Sequence, residues 1–189
     1  MENKIRCAWA EAGDEKYIAY HDNEWGKPVH DDQTHYEFLV LESFQSGLSW
    51  KTILNKRDNF RKAFADFDYK KVAKFTEDKV QELLQNQGIV RNQLKIRAAI
   101  NNAQRFQEVR QEFGSFDSYI WSFTNNKVII GHWKNKSEVP ATTDLSDRVA
   151  KDLKKRGFKF LGSTTVYAYL QATGIINDHT TDCFCYKNE

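Results

Sequence analysis

Apolar side chains recur at helical spacing along almost the whole of this 189-residue chain. In residues 35–46, for example, Tyr36, Leu39 and Val40 follow the i, i+3, i+4 pattern of a buried helix face. Only two prolines interrupt the chain, and proline is the residue that breaks helices most strongly. One stretch, NKVIIGHW at residues 126–133, has the character of an extended strand. The sequence therefore predicts an all-α fold.

The periodic pattern covers residues of about 33–175, and the flanking segments 1–25 and 176–189 lack it. No repeat or long linker divides the chain, so we expect one domain, 1–189, with a helical core and irregular termini. Capping residues at the starts of the periodic segments and glycines at their ends predict helix boundaries. The predicted N-caps are Ser49, Thr76, Ser115, Ser146 and Ser163, and the predicted terminating residues are Gly88 and Gly114.

The charges nearly balance, at +2 overall, so a nucleic-acid-binding role would require a local basic patch. Three cysteines in a chain of this length argue against a disulfide framework and for a reducing compartment. Residues 1–16 lack the apolar segment of a signal peptide, and no apolar run approaches the roughly 20 residues of a membrane span. We therefore expect a cytoplasmic protein that does not contact a membrane.

Cysteine and histidine occur in two pairs at opposite ends of the chain. Cys7 and His21 lie near the start, and His179 and Cys183 lie four residues apart near the end. Two thiolates and two imidazoles complete a tetrahedral Zn²⁺ shell, which would be structural because it leaves no position for substrate water. Spacing alone leaves two alternatives open: the four residues can be unrelated, or Cys185 can replace Cys183.

Towards the end of the helical region, two predicted helices are joined by a turn that runs from Gly157 to Gly162, with Ser163 opening the second helix. This is the layout of a helix-hairpin-helix, whose backbone N–H groups can bind a DNA phosphate. Basic residues around the turn, among them Lys159, supply local positive charge. The alternative is an ordinary αα-hairpin with a solvated basic face.

Glu42 stands on an otherwise apolar helix, and Trp50 follows the break that comes after it. A carboxylate among aromatic side chains stays ionised if it faces a cation or several hydrogen-bond donors. Aromatic faces together with a carboxylate suit a planar, electron-poor or cationic ligand. The alternative is a partly exposed helix glutamate beside a core tryptophan.

Four motifs occur in an order that resembles one known family. They are YHDNEWG, LESFQSGLSW, RGFKFLGSTTVYAYLQATG and NDHTTDC, preceded by Cys7 and Trp9. Together they resemble the 3-methyladenine DNA glycosylase I family over nearly the whole chain. The resemblance implies a monofunctional DNA glycosylase of the helix-hairpin-helix superfamily, acting as a monomer in base excision repair. It would bind alkylated double-stranded DNA, hydrolyse the N-glycosidic bond of N3-methyladenine and release 3-methyladenine.

The resemblance also implies roles for individual residues. The zinc ligands would be Cys7, His21, His179 and Cys183, which leaves Cys185 free. The base pocket would be formed by Trp9, Tyr17, Tyr20, Trp25, Glu42 and Trp50. The DNA contacts would include Leu48, Gly157, Lys159, Gly162 and Ser163. Glu42 would be the catalytic residue and accept hydrogen bonds from the base, while Leu48 would fill the space that the flipped base leaves.

The segment YIAYHDNEWGKPV, residues 17–29, would then serve both sites, with His21 on the metal and its aromatic residues in the pocket. Asp178 is expected to be structural rather than catalytic, and an ion pair or exposure is the default for Glu24.

A competing hypothesis is a zinc-stabilised helix-hairpin-helix DNA-binding module without catalysis, which needs neither Glu42 nor an aromatic pocket. A third, a hydrolase with catalytic zinc, requires that one of the four ligands be absent from the metal.

Overall fold

The computed structural model describes residues 4–187, so the outermost residues of the predicted terminal segments, 1–3 and 188–189, lie outside the described residues. Between residues 4 and 187 the chain forms ten α-helices, two 3₁₀ turns and two short strands. The α-helices are α1 (Ala8–Glu11), α2 (Glu15–Asn23), α3 (Asp32–Gln45), α4 (Trp50–Ala63), α5 (Tyr69–Val72), α6 (Glu77–Gln85), α7 (Gln93–Phe113), α8 (Phe116–Ser122), α9 (Asp144–Lys155) and α10 (Ser163–Ala172). The 3₁₀ turns are Ala65–Phe67 and Lys136–Glu138, and the strands are β1 (Ile129–Ile130) and β2 (Ile176–Asn177). In this part of the chain no helix is both long enough and apolar enough to cross a membrane.

Helix α3 lies at the centre of the fold and packs against α4, α7, α8 and α10. Nine of its 14 residues are buried, as expected for a helix that is apolar on nearly every side. Tyr36, Phe38, Leu39 and Leu41 join one continuous hydrophobic cluster. Because close packing restricts side-chain movement, an enclosed helix of this kind holds Glu42 in a fixed position. The prediction of a mainly helical chain is confirmed.

Several predicted boundaries are confirmed. The hydroxyl groups of Ser49 and Ser115 accept hydrogen bonds from backbone N–H groups in the first turns of α4 and α8, at 3.2 and 2.9 Å. Thr76 occupies the cap position of α6, although its hydroxyl makes no capping hydrogen bond. Helix α7 ends at Gly114, whose φ of 85° favours glycine because glycine has no Cβ.

Three other predicted boundaries are wrong. Helix α9 is capped by Thr143 rather than Ser146, because the two residues form the reciprocal hydrogen bonds of a capping box. Helix α10 is preceded by Gly162 at the cap position, so Ser163 is its first residue. Helix α6 ends before Gly88 is reached.

The terminal segments are more regular than predicted, and the predicted strand is shorter. Helices α1 and α2 form in the N-terminal segment, and Asp14 caps α2 by accepting a hydrogen bond from the Tyr17 N–H at 3.0 Å. The prediction of irregular termini is therefore wrong for this segment. Of the strand predicted at 126–133, only β1 forms; it pairs in parallel with β2, with Ile129 opposite Ile176.

The chain that follows α2 crosses the end of α10 at close range. The Val29 N–H donates to the Thr173 carbonyl at 2.9 Å. Gly174 lies beneath this crossing with a φ of 68°, and a Cβ there would be 2.1 Å from the carbonyl carbon of Lys27. Only glycine fits this position, since both its backbone conformation and its neighbours exclude a side chain.

We expect Gly174→Ala to destabilise the protein much more than the matched variant Gly114→Ala. At Gly114 the φ is also positive, at 85°, but a new Cβ would meet nothing within 4 Å. The control should lose roughly 1–2 kcal/mol from the backbone conformation alone. Gly174→Ala should lose a further ~1–3 kcal/mol through the clash with the Lys27 backbone. Urea unfolding measures both losses, and equal losses would show that the crossing is not tight.

Candidate functional site

The two cysteine–histidine pairs meet in a buried group. One ligand atom from each of Cys7, His21, His179 and Cys183 lies within 4.8 Å of the others. The Cys183 Sγ is 3.5 Å from the His21 Nε2 and 3.5 Å from the His179 Nδ1, and the Cys7 Sγ is 3.5 Å from the same His179 atom. Two sulfur and two nitrogen donors at these separations could hold a metal ion.

The two thiols of this group differ in acidity. A hydrogen bond from Cys7, together with hydrogen bonds from His179 and His21, holds the pKa of Cys183 well below its ordinary value. The hydrogen bond to Cys183 and burial raise the pKa of Cys7. The group therefore favours one thiolate, and the thiolate is the form of cysteine that binds metals.

Each imidazole of the group is oriented through its other ring nitrogen. The His21 Nδ1 lies 2.8 Å from the Asp22 Oδ1, and Arg6 donates to the same carboxylate at 2.8 and 2.9 Å. The His179 Nε2 lies 3.0 Å from the carbonyl oxygen of Trp25. Such partners fix the ring orientation of metal-binding histidines. The sequence analysis did not find the Arg6–Asp22 pair, although Asp22 directly follows a candidate ligand.

Cys185 does not belong to this four-residue group. Its backbone N–H donates to the Cys183 Sγ at 3.4 Å, and its half-buried side chain lies near His21 and Asp22 instead. The geometry thus favours Cys183 where the spacing alone left the choice open.

The six aromatic and acidic residues predicted to form a base pocket line one cavity of about 340 Å³. They are Trp9, Tyr17, Tyr20, Trp25, Glu42 and Trp50. Gln45, Lys136, Ala168 and Gln171 line the same cavity, and the sequence analysis missed them. Ala168 and Gln171 lie three residues apart on α10 and so share a helix face. This spacing could have indicated from the sequence that the two side chains line the same surface. Lys136 lies in an exposed turn, and nothing in the sequence indicated its position.

The Glu42 carboxyl group is the least expected feature of this cavity. Only 4% of the residue is exposed, and within the described residues its side chain forms no hydrogen bond or ion pair. Burial raises the pKa of Glu42 from 4.5 to about 8. Residues 4–187 therefore supply no cation or set of donors that would keep this carboxyl group ionised, and burial favours its neutral form.

A second polar group in the cavity also lacks a partner. The indole Nε1 of Trp50 is buried and forms no hydrogen bond in the described structure. The ring of Trp50 lies 5.3 Å from that of Tyr20, so the two rings form a tilted pair at one wall. A desolvated acid without a partner is costly to keep, which is characteristic of a site that awaits a ligand.

The aromatic wall and the cysteine–histidine group are in direct contact. The Trp9 ring lies 5.1 Å from the His21 ring, and the Trp25 ring lies 4.7 Å from the His179 ring in an edge-to-face arrangement. Trp9 and Trp25 also pack on each other, with ring centroids 5.0 Å apart. The segment 17–29 therefore contributes to both sites, as the sequence analysis expected.

The predicted DNA-contacting residues lie in two exposed loops. Gly157, Lys159 and Gly162 lie in the turn between α9 and α10, beside the side chains that line a surface depression there. Asn102 holds this turn, because it exchanges hydrogen bonds with the backbone N–H and carbonyl of Lys159 at 2.8 and 2.9 Å. Leu48, in the loop between α3 and α4, is 38% exposed.

The remaining candidates have structural surroundings. Ser163 is held through its hydroxyl, which contacts Ser146 at 2.8 Å. The carboxylate of Asp178 is buried and accepts hydrogen bonds from Trp133 at 2.7 Å, from Gln171 at 2.8 Å and from the hydroxyl of Tyr167. Three donors leave little capacity for catalysis, so the surroundings of Asp178 favour the structural role expected from the sequence.

Glu24 belongs to an ion-pair network at the surface. Both of its carboxylate oxygens accept hydrogen bonds from Arg57, at 3.0 and 2.8 Å. Arg57 in turn pairs with Glu37 at 2.7 Å. This is the default ion pair that the sequence analysis assigned to Glu24.

Comparison with known proteins gives one consistent family. A model of the methyladenine glycosylase family matches residues 9–186. The chain is 45% identical over 181 residues to DNA-3-methyladenine glycosylase 1 of Escherichia coli K12, with 96% of each protein covered. A crystal structure of a 3-methyladenine DNA glycosylase I gives a TM-score of 0.94 at 45% identity, covering 97% of this chain and 100% of that one. The Staphylococcus aureus 3-methyladenine DNA glycosylase I, solved to describe its recognition of 3-methyladenine, gives a TM-score of 0.93 at 36% identity and 97% coverage of each chain.

The raised pKa of Glu42 predicts a pH-dependent stability difference from Glu42→Gln. Since the folded state binds this proton up to about pH 8 and the unfolded state releases it near 4.5, Glu42 costs stability progressively as the pH rises between these values. The variant lacks this cost, so its advantage should grow by about 3–5 kcal/mol from pH 4.5 to pH 8.5. Urea unfolding across this pH range measures the free energy of unfolding of both proteins. The other titrating groups contribute equally to both values, so they cancel in the difference. A constant difference would show that folding does not change the pKa of Glu42.

Proposed function

Because this chain belongs to the methyladenine glycosylase family, we propose that it is a monofunctional DNA glycosylase that hydrolyses the N-glycosidic bond of N3-methyladenine in alkylated double-stranded DNA. It releases 3-methyladenine and leaves an abasic site for base excision repair. The observation that carries the proposal is a carboxyl group that is desolvated and has no partner among the described residues, in a cavity with aromatic walls. A protein that only binds DNA has no use for such a cavity, which disfavours the DNA-binding module without catalysis.

Recognition of the lesion rests on charge. The N3-methylated base is cationic in DNA, so its glycosidic bond is already weak and selection of the right base is the main task. The aromatic rings of Trp50 and Tyr20 attract a cation through their faces. Glu42 accepts hydrogen bonds from the edge of the base, and a cationic base favours the ionised form of this carboxyl group. Neutral adenine offers no positive charge to offset the ionisation of Glu42.

Access to the cavity requires that the base leave the helix stack, which costs less for a damaged base. Leu48 occupies the vacated space as an apolar wedge.

The turn between α9 and α10 acts as a helix-hairpin-helix. Its backbone N–H groups at Gly162 and Ser163 bind a phosphate, and Gly157 and Lys159 complete the contact. The lack of any neighbour within 4 Å of a Cβ at Gly162 supports this, because a DNA backbone can approach closely there.

A lyase activity is not part of the proposal. Lys136 is the lysine that lines the cavity, and its side chain is exposed at the mouth. A lysine that forms a Schiff base is activated by desolvation or by a second cation, and an exposed side chain has no desolvation of this kind.

We assign structural Zn²⁺ to Cys7, His21, His179 and Cys183. With Zn–S bonds of about 2.3 Å and Zn–N bonds of about 2.0–2.1 Å, adjacent sulfur and nitrogen ligands of a tetrahedron are about 3.5 Å apart. The three sulfur–nitrogen separations of 3.5 Å fit this shell. Four protein ligands leave no position for substrate water, which disfavours a catalytic metal, so the ion would supply only a cross-link between the two ends of the chain.

The protein is proposed to act as a monomer in the cytoplasm. Every group invoked above comes from one chain, so the site is complete without a second copy. The three cysteines are free thiols, which suits a reducing compartment.

Incubation with methylated duplex DNA should release 3-methyladenine without 7-methylguanine and without strand scission. Glu42→Gln should lower the rate of release by roughly 10–100-fold, the loss expected for a hydrogen bond to a charged group. The matched control is Glu37→Gln on the same helix, whose carboxylate pairs with Arg57 and Arg61 outside the cavity and whose loss should leave the rate unchanged. Chromatography identifies the released bases. DNA binding without base release by the wild-type protein would favour the non-catalytic module.

Cys183→Ser should lose bound zinc, whereas Cys185→Ser should retain it. The reason is that, of these two cysteines, only Cys183 belongs to the four-residue group. Because Trp9 and Trp25 pack against the two histidines of this group, zinc loss should also weaken binding of free 3-methyladenine and lower the melting temperature. Elemental analysis, thermal unfolding and NMR titration measure the three effects. Zinc depletion in Cys185→Ser instead would identify the other cysteine as the ligand.

A further inference from the structure

Lys95 is a buried lysine for which the proposed mechanism gives no role. It lies in the first turn of α7 and is 7% exposed. Its ammonium group donates to the carbonyl of Phe44 at 2.9 Å and to the carbonyl of Ser46 at 2.6 Å. Burial lowers the pKa of Lys95, and the two short hydrogen bonds offset the cost of placing the charge there.

Both carbonyl groups lie at the end of α3, at the start of the loop that carries Leu48. The last carbonyls of a helix lack intrahelical partners and carry partial negative charge, so a cation is favoured at this end. Leu48 is also tied to the end of α3, because its N–H donates to the Gln45 carbonyl at 2.7 Å. The Gln45 side chain returns a hydrogen bond to the Leu48 carbonyl at 2.9 Å.

We propose that Lys95 is a positioning residue for DNA binding: through the carbonyls of Phe44 and Ser46 it sets the path of the loop that presents Leu48 to the duplex. This inference rests on the proposed role of Leu48 as the wedge. Replacement of the ammonium group leaves two carbonyls at the loop's origin without their donor, and the loop rearranges to solvate them. Gln45, between the two carbonyl groups, lines the cavity and can shift with the loop. Glu42 lies one turn further back in α3 and is held there by packing.

A double-mutant cycle between Lys95→Met and Leu48→Ala tests the inference. Lys95→Met should reduce the single-turnover rate of base release from a lesion duplex by roughly 10-fold, and the same substitution in the Leu48→Ala background should reduce it no further. Affinity for free 3-methyladenine should change much less than the rate, by about 2-fold at most, since Glu42 and the aromatic residues of segment 17–29 lie outside this loop. The matched control is Lys56→Met, which also removes an ammonium-to-carbonyl hydrogen bond, to Gln87 at 3.3 Å, and should leave the rate unchanged.

The outcomes separate the possible failures. Additive losses in the double variant, or an equal loss of affinity for the free base, would overturn the inference, because Lys95 would then act on the whole fold. If Leu48→Ala alone has no effect, both the wedge and the inference fail, while base release by the wild-type protein still supports the glycosylase activity. Circular dichroism and thermal unfolding establish that each variant is folded at the assay temperature. If Lys95→Met does not fold, Lys95→Gln, which keeps an N–H donor, replaces it in the same cycle.

Discussion

The meeting of the two ends of the chain at Cys7, His21, His179 and Cys183 determines where the cavity can form. Terminal segments of a domain usually fray, so side chains placed there make poor binding sites. Here Trp9 and Trp25 rest on the imidazole rings of this group. The pairing of β1 with β2 and the close crossing at Gly174 bring the C-terminal segment to the same place.

The opposite wall of the cavity is held in a different way. Glu42 belongs to α3, which is enclosed by other helices and needs no metal to keep its position. The cavity therefore lies between a rigid helix and a segment fixed by its contacts with the chain termini. In such a site, packing around α3 holds Glu42 in position, whereas Trp9 and Trp25 depend on the cysteine–histidine group. Loss of that group would displace these two tryptophans and leave Glu42 in place.

The sequence predicts much of this arrangement, and its failures have physical causes. Helix starts at Ser49 and Ser115 were found because capping is local chemistry. The resemblance to a known family, carried by four motifs, implied the six residues that line the cavity. Arg6 and Lys136 were missed because their roles arise from contacts with distant parts of the chain. A pattern of residue types does not encode such contacts.

The state of Glu42 illustrates the same limit. The sequence left open whether the carboxyl group meets a cation or several donors, and in the structure burial raises its pKa to about 8. The lack of a partner among the described residues has a functional reading, since a protein that supplied its own cation would have satisfied Glu42 before the substrate arrived. Leaving the carboxyl group without a partner makes its ionisation depend on the charge of the base. Because the pKa is raised, ionising Glu42 costs free energy, about 1.4 kcal/mol for each pKa unit. A neutral base leaves this cost in place, whereas a cationic base offsets it. Under the proposed role of Glu42, selectivity for the lesion thus follows from an interaction that the folded protein leaves incomplete.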